Sequence, residues 1–162
     1  MKNIRDVFED LCIDYDVINH PPITTIEEMN SLSLKNTDRI AKNLFLRDDK
    51  KRNYYIIVVK NTYRVNLKEL KATIGSRPLS FASEKDLNHY LALERGAVTP
   101  LGVINNKINN VTVVIDSYFE SGIVGIHPNV NTSTVFLETK DLKLFIEKCG
   151  NIVEYIEFDW VV

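Results

Sequence analysis

Cysteine is nearly absent: Cys12 and Cys149 are the only two among 162 residues. Two thiols cannot build the disulfide framework of a small secreted domain, and neither belongs to a C-x-x-C pair. Each falls on an apolar helical face, so both read as small buried hydrophobes. No apolar run approaches the roughly 18 residues of a membrane span. The start, Met1-Lys2-Asn3-Ile4-Arg5-Asp6, turns polar and acidic within one turn and lacks the apolar stretch of a signal peptide. The cytoplasm is therefore the expected compartment. The three histidines, His20, His89 and His127, show no metal-ligand spacing with one another or with the cysteines. His20 before Pro21 reads as a turn residue and His89 as a surface side chain. Missing too are G-x-S-x-G, the P-loop, G-x-G-x-x-G and H-E-x-x-H. With no internal repeat and no low-complexity stretch, residues 1–162 read as one domain, which suits the length.

Strands and helices intermix along the chain. Ile4, Val7, Phe8, Leu11 and Cys12 have helical spacing. Tyr15 to Asn19 reads as a short strand stopped by His20-Pro21-Pro22. Thr25-Ile26-Glu27-Glu28 is a capping box that should open a second, short helix. Ala41 to Asp48 and Asn53 to Lys60 form two strands around a polar turn. The run Tyr54 to Val59 is continuously apolar, as in a strand covered on both faces. Asn66 and Ser83 cap two further helices, ending at Gly75 and near Gly96. Val111 to Asp116, Ile123 to Ile126 and Thr134 to Glu138 look like strands. Thr139 caps a last helix, and Ile152 to Phe158 closes with a strand. The expected fold is a single compact α/β domain, a mixed β-sheet packed by helices.

Three segments bear on chemistry. In Ala41-Lys42-Asn43-Leu44-Phe45-Leu46-Arg47-Asp48, alternation puts Lys42 on one face with Leu44 and Leu46. A lysine in a partly apolar cleft is a fixed positive charge for a phosphate or a developing oxyanion. Snorkelling at the strand end accounts for it equally. Gly96-Ala97-Val98-Thr99-Pro100-Leu101-Gly102 is either a loop presenting backbone N–H groups in a nest or a plain connector. In Gly125 to Thr134 a strand ends and Pro128 turns the chain. His127 and the Asn131-Thr132 pair are placed to line a pocket mouth, with a turn held by Asx-type bonds as the alternative.

In this order the three segments resemble the bacterial prolyl-tRNA editing family, the YbaK/aminoacyl-tRNA-synthetase-associated domain, and within it the free-standing Ala-tRNA(Pro) deacylases. The resemblance runs from about Tyr15 to Phe158. It rests on the lysine strand at Lys42, a G-x-x-x-P loop at Gly96–Pro100 and the segment from His127 to Thr134. It implies a compact editing-domain fold and a trans-acting hydrolase that removes alanine from proline tRNA. It implies no protein nucleophile, no metal and no cofactor: water attacks the ester, assisted by a hydroxyl of the terminal ribose. Carried over residue by residue, Lys42 would hold the 3′-end near its phosphate or ester oxygen. Gly96, Ala97, Val98, Thr99 and Pro100 would embrace the terminal adenosine. His127 would wall the amino-acid pocket, with Asn43, Asn131 and Thr132 as polar contacts. Rejecting proline needs a clash at that wall, since one methylene is worth only about 1–3 kcal/mol. Cysteine-specific members share the lysine and the loop, so a Cys-tRNA(Pro) deacylase is the near alternative. A non-catalytic module binding a tRNA acceptor or another ligand is the distant one. The partner implied is the acceptor 3′-end of aminoacyl-tRNA, with prolyl-tRNA synthetase or an elongation factor as candidate escorts.

The net charge of −2 hides an asymmetry. From Lys35 to Arg77, twelve basic residues face only Asp38, Asp48, Asp49 and Glu69, a net +8, and Lys42 lies inside this stretch. A solvated face explains such a run, and so does a polyanionic partner. A protein touching mainly an acceptor end neutralises few phosphates. The expected salt dependence of tRNA binding is therefore shallow, and a slope equivalent to roughly six or more phosphates would contradict it.

Overall fold

The computed structural model describes residues 3–22, 25, 27, 28 and 35–158. Helix α1 (Ile4–Asp10) begins where the sequence is able to cap it. The Asn3 side chain accepts the Asp6 N–H at 2.9 Å, and the Asp6 carboxylate accepts the Asn3 N–H at 3.2 Å. Strand β1 (Tyr15–Asn19) follows. A 3₁₀ turn (Thr37–Arg39) leads into β2 (Ala41–Asp48), which turns back into β3 (Tyr54–Lys60). Helix α2 (Leu67–Ile74) is capped by Asn66, which accepts from the Lys68 and Glu69 N–H groups, and is stopped by Gly75 at φ 68°. Short β4 (Leu79–Phe81) precedes α3 (Glu84–Leu91), capped by Ser83. A 3₁₀ helix (Pro100–Asn105), β5 (Val111–Asp116), a 3₁₀ turn (Ser117–Phe119), β6 (Ile123–Ile126), β7 (Ser133–Glu138), α4 (Thr139–Lys148) and β8 (Ile152–Ile156) complete the order.

The expected α/β domain with a mixed sheet is present, and a second sheet stands beside it. The five-stranded mixed sheet runs β4-β2-β3-β5-β8, antiparallel at β4-β2-β3 and parallel at β3-β5-β8. The three-stranded antiparallel sheet runs β1-β7-β6. A single parallel bridge, Ile40 to Gly125, joins them. The larger core fills the space between the two sheets, α1, α3 and α4, with Phe8, Tyr54, Ile56, Val113, Phe119 and Phe145 fully enclosed. A smaller core of Leu46, Ile57, Val59, Leu70 and Val114 lies on the other face of the mixed sheet, under α2. Central β3 is thus covered on both faces, as its apolar run requires.

Several sequence expectations shift. Helix α1 ends at Asp10, and Cys12, at φ 53°, is exposed rather than buried; Cys149 is half-buried against the core. Helix α3 stops at Ala92 (φ 53°), before Gly96. Thr139 is the first residue of α4, not its cap, and its buried hydroxyl has no hydrogen-bond partner among the described residues. β8 ends at Ile156, short of Phe158, which packs into the smaller core. The Thr25 hydroxyl accepts the Glu28 N–H at 3.1 Å, as a capping box begins; the helix expected beyond it lies outside the described residues, as does Asp159–Val162. An amide network at the starts of β5 and β8 had no sequence signal. Asn151 donates to the Asn106 side-chain oxygen (3.0 Å) and to the Val111 carbonyl (2.9 Å), while Asn106 donates to Asn110 (2.9 Å). Among the described residues no helix is long and apolar enough to cross a membrane.

The bridge between the sheets depends on a missing side chain. A Cβ on Gly125 would lie 2.7 Å from the Phe136 ring and 3.1 Å from Ile40 Cγ1. Gly125→Ala is expected to cost about 1–3 kcal/mol through overpacking, read as a lower urea midpoint with an unchanged slope.

Candidate active site

The start of β2 is tied from two sides. Asn61 donates its amide to the carbonyls of Thr37 (2.7 Å) and Ile40 (2.8 Å). The Arg39 guanidinium donates to the carbonyls of Ile123 (2.7 Å), Ser121 (2.7 Å) and Tyr118 (3.3 Å), with the Tyr118 ring 4.9 Å away. Arg39 is thus a structural arginine that pulls the β5–β6 connection onto the start of β2. From the Ile40–Gly125 bridge the two chains run in the same direction, and Lys42 and His127 stand at matching positions, two residues beyond it.

Lys42 is half-buried and donates from Nζ to the Tyr63 carbonyl at 3.0 Å. Burial, and then the positive charge of Arg64, push its proton affinity below the ordinary lysine value. Register confirms the alternation. Lys42 and Leu44 face the small-core side with Val59 and Ile57, while Asn43 pairs with Val58 on the large-core side. The Asn43 side-chain oxygen is buried without a hydrogen-bond partner among the described residues. An orphaned acceptor of this kind costs about 1–3 kcal/mol unless something else satisfies it.

His127 follows the end of β6. Its Nδ1–H donates to the Ser133 carbonyl at 3.2 Å, which leaves Nε2 as an acceptor without a donor among the described residues. Burial lowers its proton affinity, the Ser133 bond partly offsets this, and the charge of His20 lowers it further. His20 therefore belongs to the same neighbourhood, which its place before Pro21 did not reveal. Its ring bridges the Pro21 carbonyl and the Thr134 hydroxyl, each at 2.8 Å. The His20 N–H donates to the Thr132 carbonyl (2.9 Å), and the Ser133 hydroxyl donates to Asn19 (2.9 Å). These bonds latch the 127–134 turn onto the end of β1. Within that turn Thr132 is exposed and Asn131 half-buried, while Asn129 takes φ 65° with its side-chain oxygen buried and unpaired among the described residues.

The Gly96–Pro100 loop leads from α3 into the 3₁₀ helix, with Ala97, Thr99 and Pro100 buried and Val98 packed against the large core. Thr99 caps that helix through its hydroxyl, which accepts the Leu101 N–H at 3.3 Å. The Ala97 N–H is spent on the Glu94 carbonyl. The N–H groups of Gly96, Val98 and Thr99 donate to no acceptor among the described residues. No hydrogen bond joins this loop to Lys42, Asn43 or His127 among the described residues. The far end of the 3₁₀ helix, Ile104 and Asn105, meets Pro128 and Asn129 across a cleft of about 580 Å³ that also abuts α1 and β1. Among the described residues no group of three or more His, Cys, Asp or Glu side chains could hold a metal ion.

The model of one protein family, the aminoacyl-tRNA editing domain, matches residues 20–145. "Prolyl-tRNA editing protein ProX" of Acetoanaerobium sticklandii is 44% identical over 150 residues, which cover 92% of either chain. "Prolyl-tRNA synthetase associated domain-containing protein 1" of Mus musculus is 34% identical over 154 residues, 92% of this chain and 90% of the mouse one. Among solved structures, a hypothetical protein superposes with a TM-score of 0.75 over 95% of this chain and 98% of its own, at 16% identity. A candidate trans-editing enzyme for prolyl tRNA synthetase superposes at 0.66 over 88% and 86%, at 18% identity. Likeness at such identities speaks for the fold.

The state of His127 is measurable. Its ring should titrate below the ordinary histidine value of about 6.5 when followed by NMR. Because the unfolded chain then binds this proton more readily than the folded one, His127 withdraws stability as pH falls through about 6.5. A His127→Gln variant should lose less stability between neutral and mildly acid pH than the wild type in urea titrations.

Proposed function

The chain belongs to the aminoacyl-tRNA editing domain family and is an aminoacyl-tRNA deacylase, and we propose that it acts in trans on proline tRNA mischarged with alanine. The observation that carries this reading is the state of Lys42: a half-buried ammonium that meets one peptide carbonyl and, among the described residues, no carboxylate. A desolvated cation without a counter-ion is a stabiliser for charge that the substrate brings. Coulombic attraction in such a setting is several-fold stronger than in water.

In the reaction, water attacks the carbonyl carbon of the ester and negative charge develops on the carbonyl oxygen, the charge that the Lys42 ammonium stabilises in this reading. The bond to the ribose oxygen then breaks, the amino acid leaves with the water's oxygen, and the ribose oxygen takes a proton. A hydroxyl of the terminal ribose assists in moving that proton. The protein contributes position and field rather than a nucleophile. The unspent N–H groups of Gly96, Val98 and Thr99 support a role for that loop in holding the terminal adenosine. A His127 ring kept neutral by burial does not repel the α-ammonium of the substrate, and its free Nε2 can accept from it. Held through Nδ1, the same ring serves as the wall against proline. In this reading Asn43, whose buried side-chain oxygen has no partner among the described residues, and the half-buried Asn131 and exposed Thr132 are the further polar contacts.

Turnover of alanyl-, cysteinyl- and prolyl-tRNA(Pro) tests the assignment. Alanyl ester should be cleaved fastest; binding without turnover would leave only a binding module. Lys42→Ala should lower kcat/KM by about 100-fold or more, with folding unchanged by circular dichroism. Near wild-type hydrolysis by that variant would remove Lys42 from the chemistry. His127→Ala should narrow the preference for alanyl over prolyl ester.

A further inference from the structure

Lys42 has a cationic neighbour that no part of the proposed reaction uses. Its Nζ is bound to the carbonyl of Tyr63, and the next residue along the chain is Arg64. Arg64 is exposed, and no carboxylate among the described residues pairs with it. The Lys42 ammonium is therefore held against the peptide that leads into Arg64, and among the described residues no carboxylate pairs with either cation. The lowered proton affinity of Lys42, to which Arg64 contributes after burial, reports the same closeness. Lys60, the other cation at this end of β3, pairs with Ala41, so strand alternation starts it toward the opposite face, and its ammonium lies 4.7 Å from the Tyr118 ring centre and 5.9 Å from that of Tyr63.

Uncompensated like charges held together cost free energy unless an anion arrives to share them. An aminoacyl ester at the 3′-end of a nucleic acid brings two negative centres: the oxygen that develops charge in the reaction and the phosphodiester on the 5′ side of the terminal nucleotide. One cation serves a single centre well. A planar guanidinium with paired donors suits a phosphate, and a compact ammonium suits a single oxygen.

We propose that Arg64 is the phosphate anchor of the substrate, gripping the phosphodiester 5′ of the terminal nucleotide and leaving Lys42 for the ester oxygen. The inference rests on the deacylase reading and adds a division of labour to it. Arg64 is a positioning residue: it fixes the nucleotide so that the ester falls beside Lys42.

The test compares two alanyl esters that differ by the phosphate, 3′-O-alanyl adenosine and the 3′-O-alanyl ester of the dinucleotide cytidylyl-adenosine. In the wild type the phosphodiester should raise kcat/KM. Arg64→Gln should lower kcat/KM on the dinucleotide ester about 10- to 100-fold, mainly through KM, and should lower it at least tenfold less on the adenosine ester. Arg64→Lys should recover only part of the loss. The salt slope for tRNA should fall by about one phosphate in Arg64→Gln. Without substrate, the Lys42 ammonium in that variant should titrate at higher pH than in the wild type. Equal losses on both esters, no loss on either, or an unmoved Lys42 titration would overturn the anchor. Failure of the wild type to cleave any alanyl ester, tRNA included, would instead overturn the deacylase reading beneath it.

Discussion

The site depends on how the start of β2 is held. One bridge, Ile40 to Gly125, joins the two sheets, and the ties of Arg39 and Asn61 keep it in place. Without them β2 would begin on its own sheet alone, and the lysine two residues later would have no defined relation to the turn after β6. Gly125 permits the join because a methyl there would strike Phe136 and Ile40. Placement of the two candidate segments is thus a matter of backbone proximity, secured by a guanidinium that binds three carbonyls and by a side-chain amide that binds two. Their side chains bond to separate carbonyls, Lys42 to that of Tyr63 and His127 to that of Ser133, rather than to each other.

The electrostatics follow from that geometry. The basic stretch from Lys35 to Arg77 is not one uniform patch. Arg39 is consumed by carbonyls, Arg77 is clamped by Asp49 at 2.6 Å, and Lys60 lies over Tyr118. Asp48, buried in the β2–β3 turn, accepts from the Arg52 N–H and the Asn53 amide. Burial raises its proton affinity, and these bonds outweigh that and hold the carboxyl below the ordinary range. Asp48 and Asp49 are thus spent in the turn, and Lys42 and Arg64 are among the cations of this stretch that pair with no carboxylate among the described residues.

Strand periodicity and caps made much of this legible in the sequence. The alternation in β2 assigned Lys42 and Asn43 to opposite faces, and Asn66, Ser83 and Gly75 mark helix ends where the structure has them. Long-range partners were not legible. Nothing local in Leu79–Phe81 announces an edge strand, because three residues carry too little periodicity, and pairing with Leu46–Asp48 creates it. The division into two sheets follows from which strands meet, and Asn106, Asn110 and Asn151 are ordinary polar residues until the fold gathers them. His20 is a similar case: its sequence context shows a turn, and only the β1–β7 pairing brings its ring to Thr134. Thr139 misleads in the opposite way, since a threonine before an apolar helical run imitates a cap while the first turn actually begins on it.

The strand pairings also set the order of events during synthesis. β1 pairs with β7, and β5 pairs with β8, so each sheet takes strands from distant parts of the chain. Such contacts close large loops and form slowly compared with hairpins. A nascent chain that has emerged only through β6 has β1, Lys42 and Gly125 but lacks both the 127–134 turn and β7, the strand that pairs with β1. Folding and the gain of activity are then expected to coincide, late in translation and in one step. The partly made chain would hold unpaired edges and no working site, a state in which protection from aggregation matters more than catalysis.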